Sequence, residues 1–301
     1  MVASMGGSVR IAVAIGYLGA SYSGSQVQPN VPTVQGEIEA ALIDLKWAKP
    51  HSHPVTMSSR TDAGVDARMN IATFILDSQL WSKAQSKGVV TALNDRTPVT
   101  IRAWAAEEVG LDFRVRDVES RTYRYRLQAM KSWPDVECEQ LASWCSIFVG
   151  KHDFKNFCRP EEGRNTVREV LACESWLDAD GRILGFTIQA RGFVWNQVRR
   201  IASAIHRIST GKTTLDEVQD ALNNPESPVN FGLAKSKWLS LWSIHHPDTP
   251  ILTESSSRES MLELAAESTP KGRLYQVWSL KTRLEQDRLH LDTWLVHLNE
   301  I

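Results

Sequence analysis

One short run, residues 59–66, lies between two segments of alternating apolar and polar character and constrains how this part of the chain folds. It reads Ser-Arg-Thr-Asp-Ala-Gly-Val-Asp, and the flanking segments 55–57 and 69–75 are typical of strands. Gly64 accepts a positive φ at no steric cost, and aspartate favours turns through local side-chain-to-backbone bonds. The pattern predicts a tight loop that presents the Asp62 carboxylate and an arginine at the end of a sheet. The alternative is a solvated turn with a weak surface ion pair.

Size and composition suit one large or two medium domains with a sizeable core. The chain has 301 residues, of which 42% are hydrophobic and 23% charged. No apolar run reaches the roughly 18–20 residues of a bilayer span, and Met1–Ser8 lacks the features of a secretory signal. The four cysteines contain no Cys-x-x-Cys pair; they are Cys138, Cys145, Cys158 and Cys173. We therefore expect reduced thiols in a cytoplasmic protein without a metal site.

The distribution of charge is more informative than its sum. The net charge is −1, which by itself argues mildly against a nucleic-acid-binding protein. Basic residues nevertheless concentrate in the stretches 114–131 and 181–215, whereas acids concentrate after Pro247. A nearly neutral protein with this pattern could still present one positive face.

The periodicity of apolar residues divides the chain into three parts. We predict an N-terminal α+β domain over residues 9–110 that carries the Asp62 loop, a C-terminal α+β domain over 111–246, and a helical extension over 247–301. Strands are predicted at 9–17, 100–107, 121–129, 167–177, 183–191 and 238–245. Helices are predicted at 34–45 (with Thr33 as N-cap), 82–94, 138–149, 193–209 and 215–222, and amphipathic stretches at 261–267 and 274–298.

The run 121–126, Arg-Thr-Tyr-Arg-Tyr-Arg, alternates strictly. In a strand, Thr122, Arg124 and Arg126 face one side, while Arg121 and the two tyrosines face the other. An aromatic ring beside several guanidinium groups can stack an unpaired base while the cations hold phosphates. The alternative is a half-buried strand with core tyrosines and solvated arginines.

The run 193–200, Phe-Val-Trp-Asn-Gln-Val-Arg-Arg, predicts the start of a helix with Phe193, Asn196 and Arg200 on one side. Arg199 is then expected on the edge near Trp195, pointing into a cleft. The alternative is a helix whose arginines extend along the surface into solvent.

Taken together, these runs offer one carboxylate, an aromatic ring and arginines, with no histidine, cysteine or metal-ligand set. The phosphate-binding, dinucleotide-binding and zinc-deaminase motifs are not present in the sequence. A lone carboxylate next to cations suits bond cleavage at a sugar C1′, where positive charge develops.

These runs together resemble those of the tRNA pseudouridine synthase I (TruA-type) family. Residues 59–66 resemble the family signature Gly-Arg-Thr-Asp-Ala-Gly-Val-His. Further similarity follows in family order over roughly residues 9–246, closer to archaeal and eukaryotic members than to bacterial ones. The additional matching runs begin at Tyr17, Thr33, Arg121, Gly150 and Phe193.

The resemblance implies two pseudo-symmetric α+β domains with mainly antiparallel, RNA-recognition-like sheets, helices around them and a cleft between them. It implies isomerisation of uridine to pseudouridine in the anticodon stem-loop of tRNA, at positions 38, 39 or 40, without a cofactor and often by a homodimer. Asp62 would be the catalytic carboxylate, and Arg60 and Arg199 would pair with it or hold the phosphate of a flipped nucleotide. Tyr123 would stack on the uracil. Further substrate-binding candidates in the matching runs are Gln26, Arg124 and Arg200.

Two departures from the family pattern stand near the candidate site. Ser25 replaces the usual tryptophan of a Gly-Trp-Gln loop, so a contact to RNA is expected to be lost or altered. Asp66 replaces the usual histidine, and we expect it either to repel Asp62 or to face solvent. Two rival functions stay open: a non-catalytic tRNA-binding protein of the same fold, and a glycosidase that releases free uracil.

Overall fold

A computed structural model describes residues 7–255, 264, 266–271 and 274–298. These form two compact units. Unit 1 contains Met1–Glu119, Leu241–Met261 and Arg288–Ile301, and unit 2 contains Ser120–Ser240 and Leu262–Asp287. The domain boundaries predicted from the sequence stay a prediction.

The described residues contain nine strands and seven α-helices. The strands are β1 Ser8–Tyr17, β2 Thr56–Met57, β3 Asp66–Asp77, β4 Ile101–Val109, β5 Ser120–Tyr125, β6 Gly150–Asp153, β7 Val167–Leu177, β8 Ile183–Ala190 and β9 Leu239–His245. The helices are α1 Val34–Asp44, α2 Ser78–Asn94, α3 Cys138–Ser146, α4 Gln197–Ser209, α5 Leu215–Asn223, α6 Pro250–Ser255 and α7 Leu274–Leu298. The mixed α+β class with mostly antiparallel strands, predicted from the sequence, is confirmed.

In unit 1 the strand order is β4–β1–β3–β9. The short strand β2 pairs antiparallel with β3, and Thr56 lies opposite Thr73. Strand β1 pairs antiparallel with β3 and β4, and Ile11 lies opposite Phe74. Both of these side chains are buried, as is Leu93 on α2. The β-branched and aromatic residues of these strands favour a pleated, buried surface, so they form the core of the unit.

The helix boundaries of unit 1 follow from their caps. Thr33 caps α1 by accepting the N–H of Gly36 at 3.2 Å, as the sequence predicted. Helix α2 begins at Ser78, earlier than the predicted Ser82, because the Asp77 carboxylate accepts two N–H groups of its first turn. Gln85 interrupts this helix with a φ of 51°.

In unit 2 the strand order is β5–β8–β7–β6. Strands β7 and β8 form the predicted hairpin across residues 178–181, where Gly181 has a φ of 81°. Strand β5 ends at Tyr125 rather than at the predicted Ala129. Beyond Tyr125 the Arg126 N–H still donates to the Trp238 carbonyl and the Gln128 N–H to the Leu184 carbonyl of β8, but the backbone then turns. Arg126 is also buried, with its guanidinium 3.3 Å from the Glu285 carboxylate, so the predicted alternation holds only as far as Tyr125.

Helix α4 starts later than predicted. It begins at Gln197 instead of Phe193, because Asn196 has a φ of 66° and a ψ of 6° and ends the preceding irregular segment. A left-handed residue cannot continue a right-handed helix on its N-terminal side. The predicted helical face that joined Phe193, Asn196 and Arg200 is therefore wrong.

The C-terminal part contains α6 and α7, and α7 coincides with the second predicted amphipathic stretch. Its residues up to Asp287 belong to unit 2, and those from Arg288 belong to unit 1. The first predicted stretch, 261–267, lies largely outside the described residues. Among the residues that the structure describes, none of the helices combines the length and apolar character that a bilayer crossing requires.

Candidate active site

The loop that carries Asp62 connects β2 to β3 in unit 1. The N–H of Val65 donates to the Asp62 carbonyl at 3.1 Å, and Gly64 has a φ of 79°. This is the tight turn that the sequence predicted, since a positive φ favours glycine. Asp62 is half-buried, whereas Arg60 is exposed.

Asn70 on β3 holds the start of this loop. Its side-chain oxygen accepts the N–H groups of Ser59 (3.2 Å) and Ile71 (2.9 Å), and its amide nitrogen donates to the carbonyl of Ser59 at 2.9 Å and to the hydroxyl of Tyr17 at 3.2 Å. Asn70 is fully buried. One amide side chain therefore fixes both backbone groups of a residue close to Asp62.

Thr61, which directly precedes Asp62, is held from the other side. Its hydroxyl lies 2.9 Å from the Tyr17 hydroxyl, and its N–H donates to the Ser25 hydroxyl at 2.8 Å. The Ser25 N–H in turn donates to the Thr61 carbonyl at 3.1 Å. The adjacent Gly24 has a φ of 113°, and an added Cβ there would lie 3.1 Å from that same carbonyl. Ser25, which departs from the family pattern, is thus buried and holds the Asp62 loop through two hydrogen bonds to Thr61.

Asp66 does not face solvent, which makes that expectation wrong. It is fully buried, and its carboxylate accepts the N–H of Gly19 at 2.8 Å and lies 3.7 Å from the ring of His290 on α7. A Cβ on Gly19 would collide with the backbone of Val65, so only glycine permits this approach. A buried carboxylate needs such partners because its desolvation is costly. Asp66 therefore ties the end of the Asp62 loop to the C-terminal helix.

Tyr123 on β5 is buried, and its ring meets the Phe193 ring edge-on, with centroids 5.3 Å apart and an interplanar angle of 87°. Arg124 follows it and lies on the opposite face of the sheet, because successive strand residues alternate. The Arg124 guanidinium lies over the Trp176 ring of β7 at 5.4 Å. Tyr123 and Arg124 therefore serve different faces of unit 2.

Arg199 and Arg200 lie at the start of α4, where both are half-buried. Arg199 donates through Nε to the Ala234 carbonyl at 2.9 Å and through a terminal nitrogen to the Asn196 side chain at 3.3 Å. Arg200 donates to the Asn230 side chain at 3.2 Å. These bonds hold the guanidinium groups in defined orientations.

Tyr125, the second tyrosine of β5, is part of the core. Its hydroxyl donates to the Lys235 carbonyl at 3.0 Å. Burial raises the pKa of Tyr125, and the charge of Arg199 only partly opposes that effect. The phenol therefore stays protonated and acts as a structural donor.

The sequence-predicted residues divide between the units. Gln26, which is exposed, Arg60 and Asp62 lie in unit 1. The others lie in unit 2: Tyr123, Arg124, Arg199 and Arg200. Within unit 1 the loop geometry also depends on Asn70, which was not predicted as a site residue, and on Tyr17, which was named only as the start of a run that matches the family. The signal that could have identified Asn70 is an amide side chain between the apolar Met69 and Ile71 of a predicted strand. Over the part of the chain that the structure describes, no group of three or more histidines, cysteines, aspartates or glutamates could hold a metal ion.

Comparison with known proteins agrees with the resemblance. A family model described as tRNA pseudouridine synthase matches residues 145–247. The tRNA pseudouridine synthase A of Methanosarcina barkeri is 32% identical over 217 residues, which cover 71% of this chain and 76% of the relative. That of Geobacter sp. is 32% identical over 253 residues (79% and 99%), and that of Methanocella arvoryzae is 35% identical over 205 residues (68% and 72%).

These matches, together with the mixed α+β fold, define the class as pseudouridine synthases, which are isomerases. The chain belongs to the tRNA pseudouridine synthase family. The recognised family and the predicted enzyme class are both confirmed.

Proposed function

We propose that the protein converts uridine to pseudouridine in tRNA and that Asp62 is its catalytic carboxylate. The reaction breaks the glycosidic bond between C1′ and N1, lets the uracil rotate, and forms a bond between C1′ and C5. The proton on C5 leaves and N1 gains a proton, so the product is an isomer of the substrate and no co-reactant is consumed. Asp62 either attacks C1′ or removes a proton from C2′.

The observation that carries this proposal is the way the Asp62 loop is anchored. Asn70 fixes Ser59, and Ser25 with Tyr17 fixes Thr61, so the backbone before Asp62 is held on two sides. The turn bond from Val65 fixes the backbone after it. A carboxylate held in this way loses little entropy when a flipped nucleotide binds, which favours catalysis.

The remaining candidates receive roles from the resemblance and from their local geometry. Arg60 and Arg199 hold the Asp62 carboxylate or the phosphate of the flipped nucleotide. Tyr123 stacks on the uracil, and the edge-on contact with Phe193 supports this role because it keeps the ring in one orientation. Arg124, Arg200 and Gln26 bind the surrounding RNA. Extruding the uridine costs a few kcal/mol, which these contacts must offset.

The substrate uridines are those of the anticodon stem-loop, at one or more of positions 38, 39 and 40. The family relationship supports tRNA as the substrate, and the choice of these positions rests on the resemblance described above. We propose in addition that the protein acts in the cytoplasm and as a homodimer.

The test uses tRNA transcripts that carry tritium on C5 of uridine and keep a uridine at only one of the three positions, with cytidine at the other two. We expect tritium release from at least one of these transcripts and from none in which all three positions are cytidine. Release that persists without uridines at 38–40 would overturn the choice of positions. Binding of tRNA with no release from any transcript would overturn the isomerase and favour the non-catalytic alternative, and free uracil as product would favour a glycosidase.

A further inference from the structure

Trp195 differs from the other tryptophans of the protein in its exposure. The chain has eleven tryptophans, all within the described residues, and Trp195 alone is exposed, at 41%. Its neighbour Val194 is buried, and Asn196 follows it in the left-handed conformation. A left-handed non-glycine residue is strained and persists only where its surroundings enforce it. The backbone therefore turns the indole outward at the point where α4 begins.

A second segment fixes the position of this indole. The Arg159 guanidinium lies over the Trp195 ring, 4.1 Å from its centroid, and the Arg159 N–H donates to the Trp195 carbonyl at 2.8 Å. Arg159 is itself exposed, but it follows Phe157 and Cys158, which are buried. The indole and the guanidinium are thus exposed side by side, while the residues that precede Arg159 are buried and hold it in place.

Charges of both signs lie near the residue that precedes Arg159, and two of them are arginines. Burial raises the pKa of Cys158, which directly precedes Arg159, and the charges of Arg200 and Arg168 oppose that effect, whereas Asp153 and Glu161 add to it. Both acids are engaged locally, because Asp153 accepts from the Thr166 hydroxyl and Glu161 pairs with Arg164 at 2.6 Å. The exposed cation beside the indole is Arg159 itself, and an exposed guanidinium attracts phosphate.

We propose that Trp195 and Arg159 form a binding site for one unpaired nucleotide of the RNA substrate. The base stacks on the indole and the guanidinium contacts the adjacent phosphate, a combination that proteins use for single-stranded RNA without sequence readout. The proposal rests on the proposed function and deepens it, because it adds a second nucleotide-binding position within unit 2.

This nucleotide is a neighbour of the reacting uridine. Tyr123, the residue assigned to the uracil, contacts Phe193, and two residues of extended chain span at most about 7 Å between Phe193 and Trp195. The two aromatic positions are therefore close enough for nucleotides that are adjacent or nearly adjacent in the strand. Trp195 holds the flanking nucleotide and takes no part in the chemistry.

The test compares Trp195→Ala, Trp195→Phe and Arg159→Ala in the full-length protein. The dissociation constant for an unmodified tRNA transcript is measured by filter binding, and KM and kcat are measured by tritium release. We expect Trp195→Ala to raise both the dissociation constant and KM by about 5- to 150-fold, the range known for loss of one stacked base, with kcat unchanged at saturation. Trp195→Phe should restore most of the affinity. Arg159→Ala should reduce the salt dependence of binding by about one phosphate contact, whereas Trp195→Ala should not.

Leu171→Ala is the matched control, because Leu171 is an exposed apolar residue of unit 2 (48%) on β7. It should bind and react like the unchanged protein, and thermal unfolding of each variant establishes that it is folded. The proposal is overturned if Trp195→Ala binds tRNA as tightly as the Leu171 variant, or if it lowers kcat without changing the dissociation constant. Failure of the unchanged protein to release tritium would instead contradict the proposed function, and the binding measurements would still test this site.

Discussion

Replacing Asn70 by alanine should loosen the Asp62 loop while leaving the sheet of unit 1 in place. The side chain makes four hydrogen bonds, two to the backbone of Ser59 and one each to Ile71 and Tyr17. At a net value of roughly 0.5–1.5 kcal/mol each, their loss weakens the local structure by about 2–6 kcal/mol. The loop should therefore open more often, because it lies at the end of β2 and depends on these side-chain bonds.

Hydrogen exchange measures this opening directly. A local loss of about 2–6 kcal/mol predicts that the amides of residues 59–61 exchange faster by roughly 30-fold to 20,000-fold, since each 1.4 kcal/mol is a factor of ten. Pseudouridine formation should fall at least about tenfold in kcat, because the carboxylate is no longer held in one position. Affinity for tRNA should stay within a few-fold.

Thr73→Val is the control for this experiment. Thr73 is a buried polar residue of the same strand, but its hydroxyl donates to the Ile11 carbonyl, away from the loop. It should cost roughly 1 kcal/mol of stability and leave both loop exchange and kcat as they were. If Asn70→Ala exchanges its loop amides no faster than Thr73→Val, then Asn70 does not hold the loop and the reasoning is refuted.

Two further predictions concern stability. Gly16→Ala should destabilise the protein by about 1–3 kcal/mol, because the new Cβ would collide with the Trp294 indole and lie 2.8 Å from the Arg68 carbonyl. Thermal unfolding should show a lowered Tm for Gly16→Ala but not for the control Gly192→Ala, whose Cβ would have no atom within 4 Å. Equal Tm values for the two variants would contradict this packing. Burial lowers the pKa of His206, so the unfolded state binds a proton more readily than the folded state, and the free energy of unfolding decreases as the pH falls below 6.5. Denaturant unfolding from pH 7.5 to 5 should show a smaller decrease of this free energy in His206→Gln. The same decrease in both proteins would exclude this contribution.

Local sequence patterns predicted those features of the fold that local forces determine. Thr33 caps α1 as expected, and the hairpin across residues 178–181 forms because a short turn with glycine joins two alternating segments. The turn at Gly64 was predicted for the same reason. Each of these depends on residues that are neighbours in the chain.

Features that depend on distant residues were missed. Asp66 was expected to repel Asp62 or face solvent, but a backbone N–H near β1 and a histidine on α7 bury it, and nothing close to Asp66 in the sequence indicates either partner. The hydrogen bonds between Ser25 and Thr61 likewise join residues that are far apart in the chain. The late start of α4 escaped prediction because Asn196 is acceptable within a helix by propensity, and only the tertiary structure imposes its left-handed conformation.

The central claim is that the Asp62 carboxylate performs the isomerisation. Asp62→Asn keeps the size and polarity of the side chain but removes its charge and its basicity, so it separates chemistry from binding. Asp77→Asn is the control, because asparagine also caps helices well and Asp77 serves as the N-cap of α2.

The measurement is tritium release from tRNA labelled on C5 of uridine, alongside the dissociation constant for the same tRNA. The account predicts no release above background for Asp62→Asn, an affinity within a few-fold of the unchanged protein, and full activity for Asp77→Asn. Turnover by Asp62→Asn at a rate close to that of the control would show that another group does the chemistry and would contradict the account.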